Sequence, residues 1–446
     1  MVSFYKETRK KEDKKAFEVE VHDLDMHGRA VAKANNKTWF IKNLLIGEKA
    51  RVIPISLKNS TGEAQVTKIL QVSDKRQKED CPYLKECGGC TLQYMPNSMA
   101  IDAKVNGIKR LLNKTLNIEL GSPNFIEQGK DIGYRRACRF AIKTDHNKVK
   151  LGFRGAYSHN LVPIDNCVVL NDRINKYLNS VYTLINTLKA RKNIGHIEFL
   201  DSDGWLGILF RFTKIIDIED KEILLEFAKS NSVCISIVEP YKHEVDDSEY
   251  LKETVLYGEN ELFIFAENCK IHCKPSAFVQ INEELNAKMI NKVLEFSCLK
   301  ENTKILDLFC GLGNFSLPLA SHGAQVVGVD IVRTMIEDAN KNAQDNNLNN
   351  TKFVVANLED VFENQLWAKD KYDVVVMDPG RSGAKRATSF VCKMKVKKII
   401  MISCNPLAAS RDCVDIIKSG YKLESWGVFD IFPRTTHVEL MLVFSL

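Results

Sequence analysis

Leu306-Asp-Leu-Phe-Cys-Gly-Leu-Gly-Asn-Phe315 decides the fold. The apolar run Ile305–Phe309 leads into it, and a helical segment follows. Gly311 and Gly313 permit positive φ and a close approach of backbone to ligand. Such a pair is weak evidence alone, so its surroundings must decide. Downstream, the apolar runs Gln325–Asp330, Lys352–Asn357, Tyr372–Asp378 and Lys397–Ser403 alternate with helical segments. That rhythm predicts a mostly parallel sheet covered on both faces. Two later runs, Tyr421–Asp430 and His437–Leu446, are expected to complete it with an antiparallel edge. Ligands of open α/β sheets sit outside the carboxyl ends of the strands.

The glycine loop fits one end of a nucleoside-bearing ligand. Asp330 closes the next run, 19 residues beyond Gly311, where a carboxylate can hold ribose hydroxyls. Asn357 closes the third run and is placed to reach an adenine edge. The plainer reading is a tight packing turn without ligand. Dinucleotide binding is the rival. The loop lacks the third glycine of G-x-G-x-x-G, since Ser316 holds that place, which favours S-adenosylmethionine.

Three more segments are expected near the same crevice: Asp378-Pro-Gly-Arg381, Ser403-Cys-Asn-Pro406 and Pro433-Arg-Thr-Thr-His-Val-Glu439. A thiol at a strand end beside a methyl donor suggests pyrimidine chemistry. Uracil C5 is a poor nucleophile. Thiolate addition at C6 makes C5 enolate-like, and a base must later remove its proton. Cys404 is the candidate nucleophile and Glu439 the candidate base. Asp378 and Gln280 are candidates to hold the uracil or the donor amine. Singly each has a bland reading: a buried strand cysteine, an edge-strand carboxylate, a helix cap. Their placement after successive strands favours the chemical one.

Composition bounds the rest. The 446 residues are 45% hydrophobic and 27% charged, enough for two or three domains. No run is long and apolar enough to read as a membrane span, and the charged first 20 residues do not read as a secretory signal, so a cytoplasmic location is expected. Of the net charge of +6, residues 1–80 carry +5, from 17 Lys and Arg against 12 Asp and Glu. A basic N-terminal module suits a phosphate backbone, or is simply a solvated surface. Residues 1–15 read as a flexible leader. Short strand-like runs with glycine and asparagine turns from Ala16 to about Val72 predict a small β-barrel.

Thirteen cysteines at such an address do not suggest structural disulfides. Cys81-x5-Cys87-Gly-Gly-Cys90 is a tight cysteine cluster, for which metal ligation is the first use to consider. Spacing leaves zinc and iron–sulfur open. Five residues and then two between the first three cysteines is not the radical-enzyme spacing of three and two.

These motifs resemble the RNA uracil-C5 methyltransferases, and within them the branch that acts on 23S ribosomal RNA. The resemblance runs from about residue 16 to the C-terminus. It implies an α/β multidomain chain: a TRAM (OB-like) RNA-binding barrel over 16–74, a central α/β domain over 75–270 and a Rossmann-like class I methyltransferase domain over 271–446. A helix over 98–117 is a candidate to pack on the last of these. The resemblance also implies a 4Fe–4S cluster on Cys81, Cys87, Cys90 and Cys167. Donor contacts are implied for Gln280, Phe309, Gly311, Gly313, Asn314, Asp330, Asn357 and Asp378. Cys404 is implied as nucleophile and His437-Val-Glu439 as the base segment. RNA contacts are implied for Arg135, Arg136, Arg154 and Phe278. One departure is visible: many relatives carry Asp-Pro-Pro-Arg or Asp-Pro-Ala-Arg where this chain has Asp378-Pro-Gly-Arg381.

The expected activity is S-adenosylmethionine-dependent C5 methylation of a uridine in 23S rRNA by a monomer, without DNA or membrane partners. Another rRNA or tRNA uridine is the alternative within the class. Cytosine-C5 enzymes place their thiol in Pro-Cys or Thr-Cys contexts, unlike Ser403-Cys404. A non-catalytic ribosome-assembly factor is the alternative of another class.

Overall fold

A computed structural model describes residues 15–145, 148–156, 160–242 and 249–446. All but the last residue of the expected leader lies outside them. Two compact units emerge, Met1–Glu79 with Thr91–Ile108, and Asp80–Cys90 with Lys109–Leu446.

The first unit holds a closed barrel of strands Phe17–Leu24, Ala30–Ala34, Lys37–Ile41, Lys49–Lys58 and Thr61–Gln71. Its first strand alternates, burying Val19 and Val21, then Leu24. The change of parity follows from a register shift between Val21 and Asp23, where one extra residue turns the strand. Trp39, Ile41, Leu44 and Val52 fill the interior, and Leu92, Tyr94 and Met95 pack with them.

The second unit contains two large sheets. One has seven strands, in the order Glu249–Tyr257, Val233–Lys242, Leu206–Phe212, Ile194–Asp201, Ala137–Asp145, Lys148–Arg154 and Leu161–Pro163. Helix Asp172–Thr187 packs on it through Ile174, Leu178, Val181 and Ile185, one helical stripe. Asn171 caps that helix by accepting from the Ile174 N–H.

The other sheet has eight strands, in the order Thr351–Val355, Gln325–Asp330, Lys304–Leu308, Val374–Met377, Lys398–Ser403, Glu439–Ser445, Lys422–Phe429 and Phe125–Glu127. The first five are parallel, and Val374–Met377 is buried throughout, as helices on both faces require. Glu439–Ser445 runs antiparallel to both neighbours. The outermost strand was not anticipated: Phe125–Glu127, far upstream, pairs parallel with Gly427–Phe429. The third expected run ends early, at Val355, which leaves Asn357 in the following loop. Among the described residues no helix is long and apolar enough to cross a membrane.

Candidate active site

The glycine loop leaves the sheet at Leu308. Phe309 takes a left-handed backbone, φ +66°, and both its N–H and that of Cys310 donate to Val329 O. A side chain with a β-carbon held there is strained, and such strain collects at functional sites. Gly311 and Gly313 also have positive φ, +54° and +93°. A β-carbon on Gly311 would meet nothing within 4 Å, so the loop is open there. The Gly311 N–H donates to Asp330 Oδ2 at 3.0 Å, and Asp330 Oδ1 accepts from the Val332 N–H at 2.9 Å. The carboxylate therefore ties the two strand ends together and keeps lone pairs for a ligand. The Asn314 amide exchanges two hydrogen bonds with Asn286, at 2.8 and 2.9 Å, which braces the loop. Asn357 is exposed, and its Oδ1 accepts from the Glu359 N–H.

One member of this site was not foreseen, although it sits in the opening motif. Asp307 is fully buried; its Oδ2 accepts from Ser316 Oγ at 2.5 Å, while Oδ1 has no partner. Burial pushes its carboxyl up to about 7, and the charges of Asp378 and Asp330 add to the rise. Ser316, the residue in place of a third glycine, is what satisfies it.

The chemical half of the site is built on strand register. Ser403 pairs with Leu440 across antiparallel strands, so the register continued one residue brings Cys404 opposite Glu439 at the carboxyl end of the parallel strands. Asn405 then caps helix Pro406–Lys418, accepting from the Leu407 and Ala408 N–H groups, with Pro406 at the first helical position. The Asn405 amide also donates to Arg381 O at 2.8 Å, which fastens the Asp378–Arg381 loop beside the thiol. Arg411 Nη2 donates to Ser382 O, and Asp412 accepts from the Ala384 N–H, securing the loop farther on. Gln280 Nε2 donates to Asp378 Oδ2 at 3.3 Å.

Electrostatics bind these groups into one site. Burial pushes the Cys404 thiol up to about 11, helped by the charges of Glu439 and Asp378, while Arg381 pulls it down. Glu439 is 5% exposed and its Oε2 has no partner. Burial raises its carboxyl well above the ordinary range, Asp378 adds to this, and Arg381 opposes it. Burial holds Asp378 at about 6. A thiol, two proton-hungry carboxyls and a guanidinium thus share one electrostatic neighbourhood, which can add a nucleophile and take up a proton.

The basic residues divide. Arg154 is exposed and Arg135 half-buried, its Nε donating to Ala137 O. Arg136 corrects the expectation of an RNA contact. It is 5% exposed; Nε donates to Asp201 O at 2.8 Å, and Asp203 and Glu283 accept the rest of its charge. An Arg so committed inside the fold presents no open face to a phosphate. Phe278 is 70% exposed, two residues before Gln280.

Cys81, Cys87, Cys90 and Cys167 are free, half-buried thiols. The Cys87–Gly88 turn is pinned by an isolated bridge to Gly155 and by the Gly88 N–H donating to Arg154 O. Asn175 accepts from the Cys167 N–H at 2.9 Å. Burial raises the Cys90 thiol to about 12, and the charges of Cys167, Cys87 and Cys81 each add to it. Among the described residues no three His, Cys, Asp or Glu side chains stand close enough to hold a single metal ion.

A parallel sheet, a glycine loop at its first strand and a carboxylate at its second are the frame of nucleoside-binding α/β enzymes, and the family match below makes this one a class I S-adenosylmethionine-dependent methyltransferase. The comparisons agree and go further. The family described as tRNA (Uracil-5-)-methyltransferase matches residues 97–445, and the chain belongs to that family. It is 35% identical over 449 residues to the 23S rRNA (uracil(1939)-C(5))-methyltransferase RlmD of Tolumonas auensis, covering 100% of both chains. Against the protein of that name from Haemophilus influenzae it is 33% identical over 447 residues, again with full coverage of both. The solved tRNA (uracil-54, C5)-methyltransferase of Pyrococcus abyssi, in complex with S-adenosyl-L-homocysteine, shares the fold with a TM-score of 0.71. That match has 22% identity and covers 96% of this chain and 99% of the other.

Proposed function

We propose that this enzyme methylates C5 of a uridine in 23S rRNA, with Cys404 as nucleophile and Glu439 as base. The observation that carries the reading is the strand register that faces Cys404 toward Glu439 beside the donor loop. Full-length similarity to 23S rRNA methyltransferases supports the substrate.

S-adenosylmethionine, when bound, supplies the methyl group. Gly311, Gly313 and Asp330 would hold its nucleoside half, with Phe309 and Asn357 beside it, Asn314 bracing the loop, and Gln280 and Asp378 toward the reacting end. The chain's own groups do the rest. The Cys404 thiolate adds to uracil C6, and Arg381 offsets its charge. C5, now enolate-like, takes the methyl group. Glu439 then removes the C5 proton; its raised proton affinity suits it to that task. Elimination breaks the C6–S bond, restores the ring double bond and frees the thiolate. Phe278 and Arg154 are the exposed groups best placed among the expected RNA contacts.

For Cys81, Cys87, Cys90 and Cys167 we favour an iron–sulfur cluster over zinc, on the family resemblance of their motif. A cubane takes one thiolate at each iron, so its ligands stand wider apart than those of a mononuclear tetrahedron. Iron and sulfide analysis of anaerobically purified protein, with Cys167→Ser in parallel, tests this; stoichiometric zinc would reject it.

The decisive experiment is transfer of labelled methyl from S-adenosylmethionine to unmodified 23S rRNA, followed by nucleoside analysis. Label in 5-methyluridine that Cys404→Ala abolishes is the expected result. Label on tRNA only would replace the substrate, and a fully active Cys404→Ala would refute the mechanism.

A further inference from the structure

Glu439 begins its strand, so the loop before it fixes where the carboxyl stands. The strongest side-chain anchor of that loop is Arg434. Its backbone is left-handed, φ +64°, a conformation that a residue with a β-carbon keeps only when its surroundings impose it. Those surroundings are two carboxylates from distant segments. Nη1 donates to Asp80 Oδ1 at 2.7 Å, and Nη2 and Nε donate to Asp131 Oδ2 at 2.9 and 3.2 Å. The Arg434 side chain is 13% exposed. Next to it, the Tyr134 hydroxyl donates to Pro433 O at 3.2 Å. Within the loop, the Thr435 hydroxyl donates to Phe432 O and accepts from the His437 N–H.

Both anchors lead to the cysteine site. Asp80 immediately precedes Cys81. The segment with Asp131 and Tyr134 runs beside that of Cys167, with the Gly133 and Arg135 N–H groups donating to Val168 O and Val169 O. It also touches the Gln280 segment, where the Arg136 N–H donates to Ile281 O.

We propose that Arg434 is a positioning residue for the proton-removal step: clamped by Asp80 and Asp131, it fixes the loop that aims Glu439 and makes that aim depend on the cysteine segment. The proposal rests on Glu439 being the base. A guanidinium reaching two carboxylates at once suits the task, since a lysine's single ammonium does not reproduce the planar fork.

The test separates the two halves of the reaction. An RNA substrate tritiated at uracil C5 reports proton removal by tritium release. A methyl label from the donor reports methyl transfer, and an SDS-stable protein–RNA band reports the covalent intermediate. In single turnover, Arg434→Ala should slow tritium release on the order of tenfold more than methyl incorporation, since small misplacements of a reacting group cost about this much or more. The covalent band should accumulate. Asp131→Asn should do the same to a smaller degree, and serves if Arg434→Ala fails to fold; Arg434→Lys should recover only part of the loss. An equal fall in both labels, or no added covalent band, overturns the proposal. Glu439→Gln runs in parallel. If it stalls as adduct while the Arg434 and Asp131 variants do not, only the Arg434 proposal fails. If Glu439→Gln releases product promptly, the base assignment fails and takes the Arg434 proposal with it.

Discussion

The Cys404 thiol in the free enzyme should be a poor nucleophile at neutral pH, and the site says by how much. Its value is pushed from 9.0 to about 11, by burial first and by Glu439 and Asp378 next. Near pH 8 that rise lowers the thiolate fraction about 100-fold, while the more basic thiolate regains roughly tenfold in intrinsic reactivity, for a Brønsted slope near ~0.5. Alkylation by iodoacetamide should therefore run about tenfold slower than at an ordinary exposed cysteine. Its rate should keep rising beyond pH 9. Two substitutions give opposite shifts. Glu439→Gln removes a charge that raises the thiol, so the midpoint should fall; Arg381→Ala removes the charge that lowers it, so the midpoint should climb. The assay is time-resolved alkylation from pH 7 to 11, quantified by mass spectrometry on the peptide bearing Cys404. A midpoint at or below 9 would refute the burial argument. Shifts of the same sign in both variants would refute the charge assignment.

Other expectations follow from single contacts. Asp307 has a folded value near 7 against 3.8 ordinarily, so its contribution to stability is full below the ordinary value and is lost as pH rises through about 7. Asp307→Asn should therefore raise the melting temperature at pH 8 and not at pH 3, with a gain of at most about 4 kcal/mol from the size of the shift; no difference between the two pH values would refute it. Gly313→Ala meets both φ +93° and Leu317 Cγ at 2.9 Å, and should cost about 1–3 kcal/mol in denaturant unfolding and weaken donor binding by calorimetry. Asn405→Ala removes a helix cap worth about 1 kcal/mol. Because it also frees the Arg381 loop, its loss of turnover should exceed what that destabilisation explains, as activity well below the melting transition would show.

What could be read from the sequence follows the range of the forces involved. The donor loop was legible because its evidence is local: glycines at fixed spacing, a strand before and a helix after. Cys404 and Glu439 were legible as residues at strand ends, since the apolar runs of buried strands, and the turns that bound them, show in a single chain. Their facing register was not, because register is a property of two strands and appears only when Ser403 meets Leu440. Strand Phe125–Glu127 was missed for a related reason: three residues cannot display a period, and its partner lies some 300 residues downstream. Arg136 marks the limit of reading charge. A basic residue among aromatics looks the same whether it meets phosphate or pins the fold, and only burial against Asp201 and Asp203 separates the two.

Asp307 and Arg434 were hidden by opposite causes. Asp307 stands in the open, in the motif that decides the fold, but its burial and its half-satisfied carboxyl exist only in three dimensions. Arg434 has partners 303 and 354 residues away in the chain. No local pattern can announce a contact of that range. Yet both stand next to groups that were legible: Asp307 precedes the glycine loop, and Arg434 lies in the loop before Glu439, the proposed base. The sequence displays the atoms that react because chemistry demands particular side chains at strand ends. It conceals the atoms that aim them, because aiming can be done by any pair of segments that the fold brings together. If the proposed roles hold, a chain that keeps Cys404 and Glu439 should still lose turnover on substitution at Asp131, far away in sequence and one hydrogen bond from the loop before Glu439.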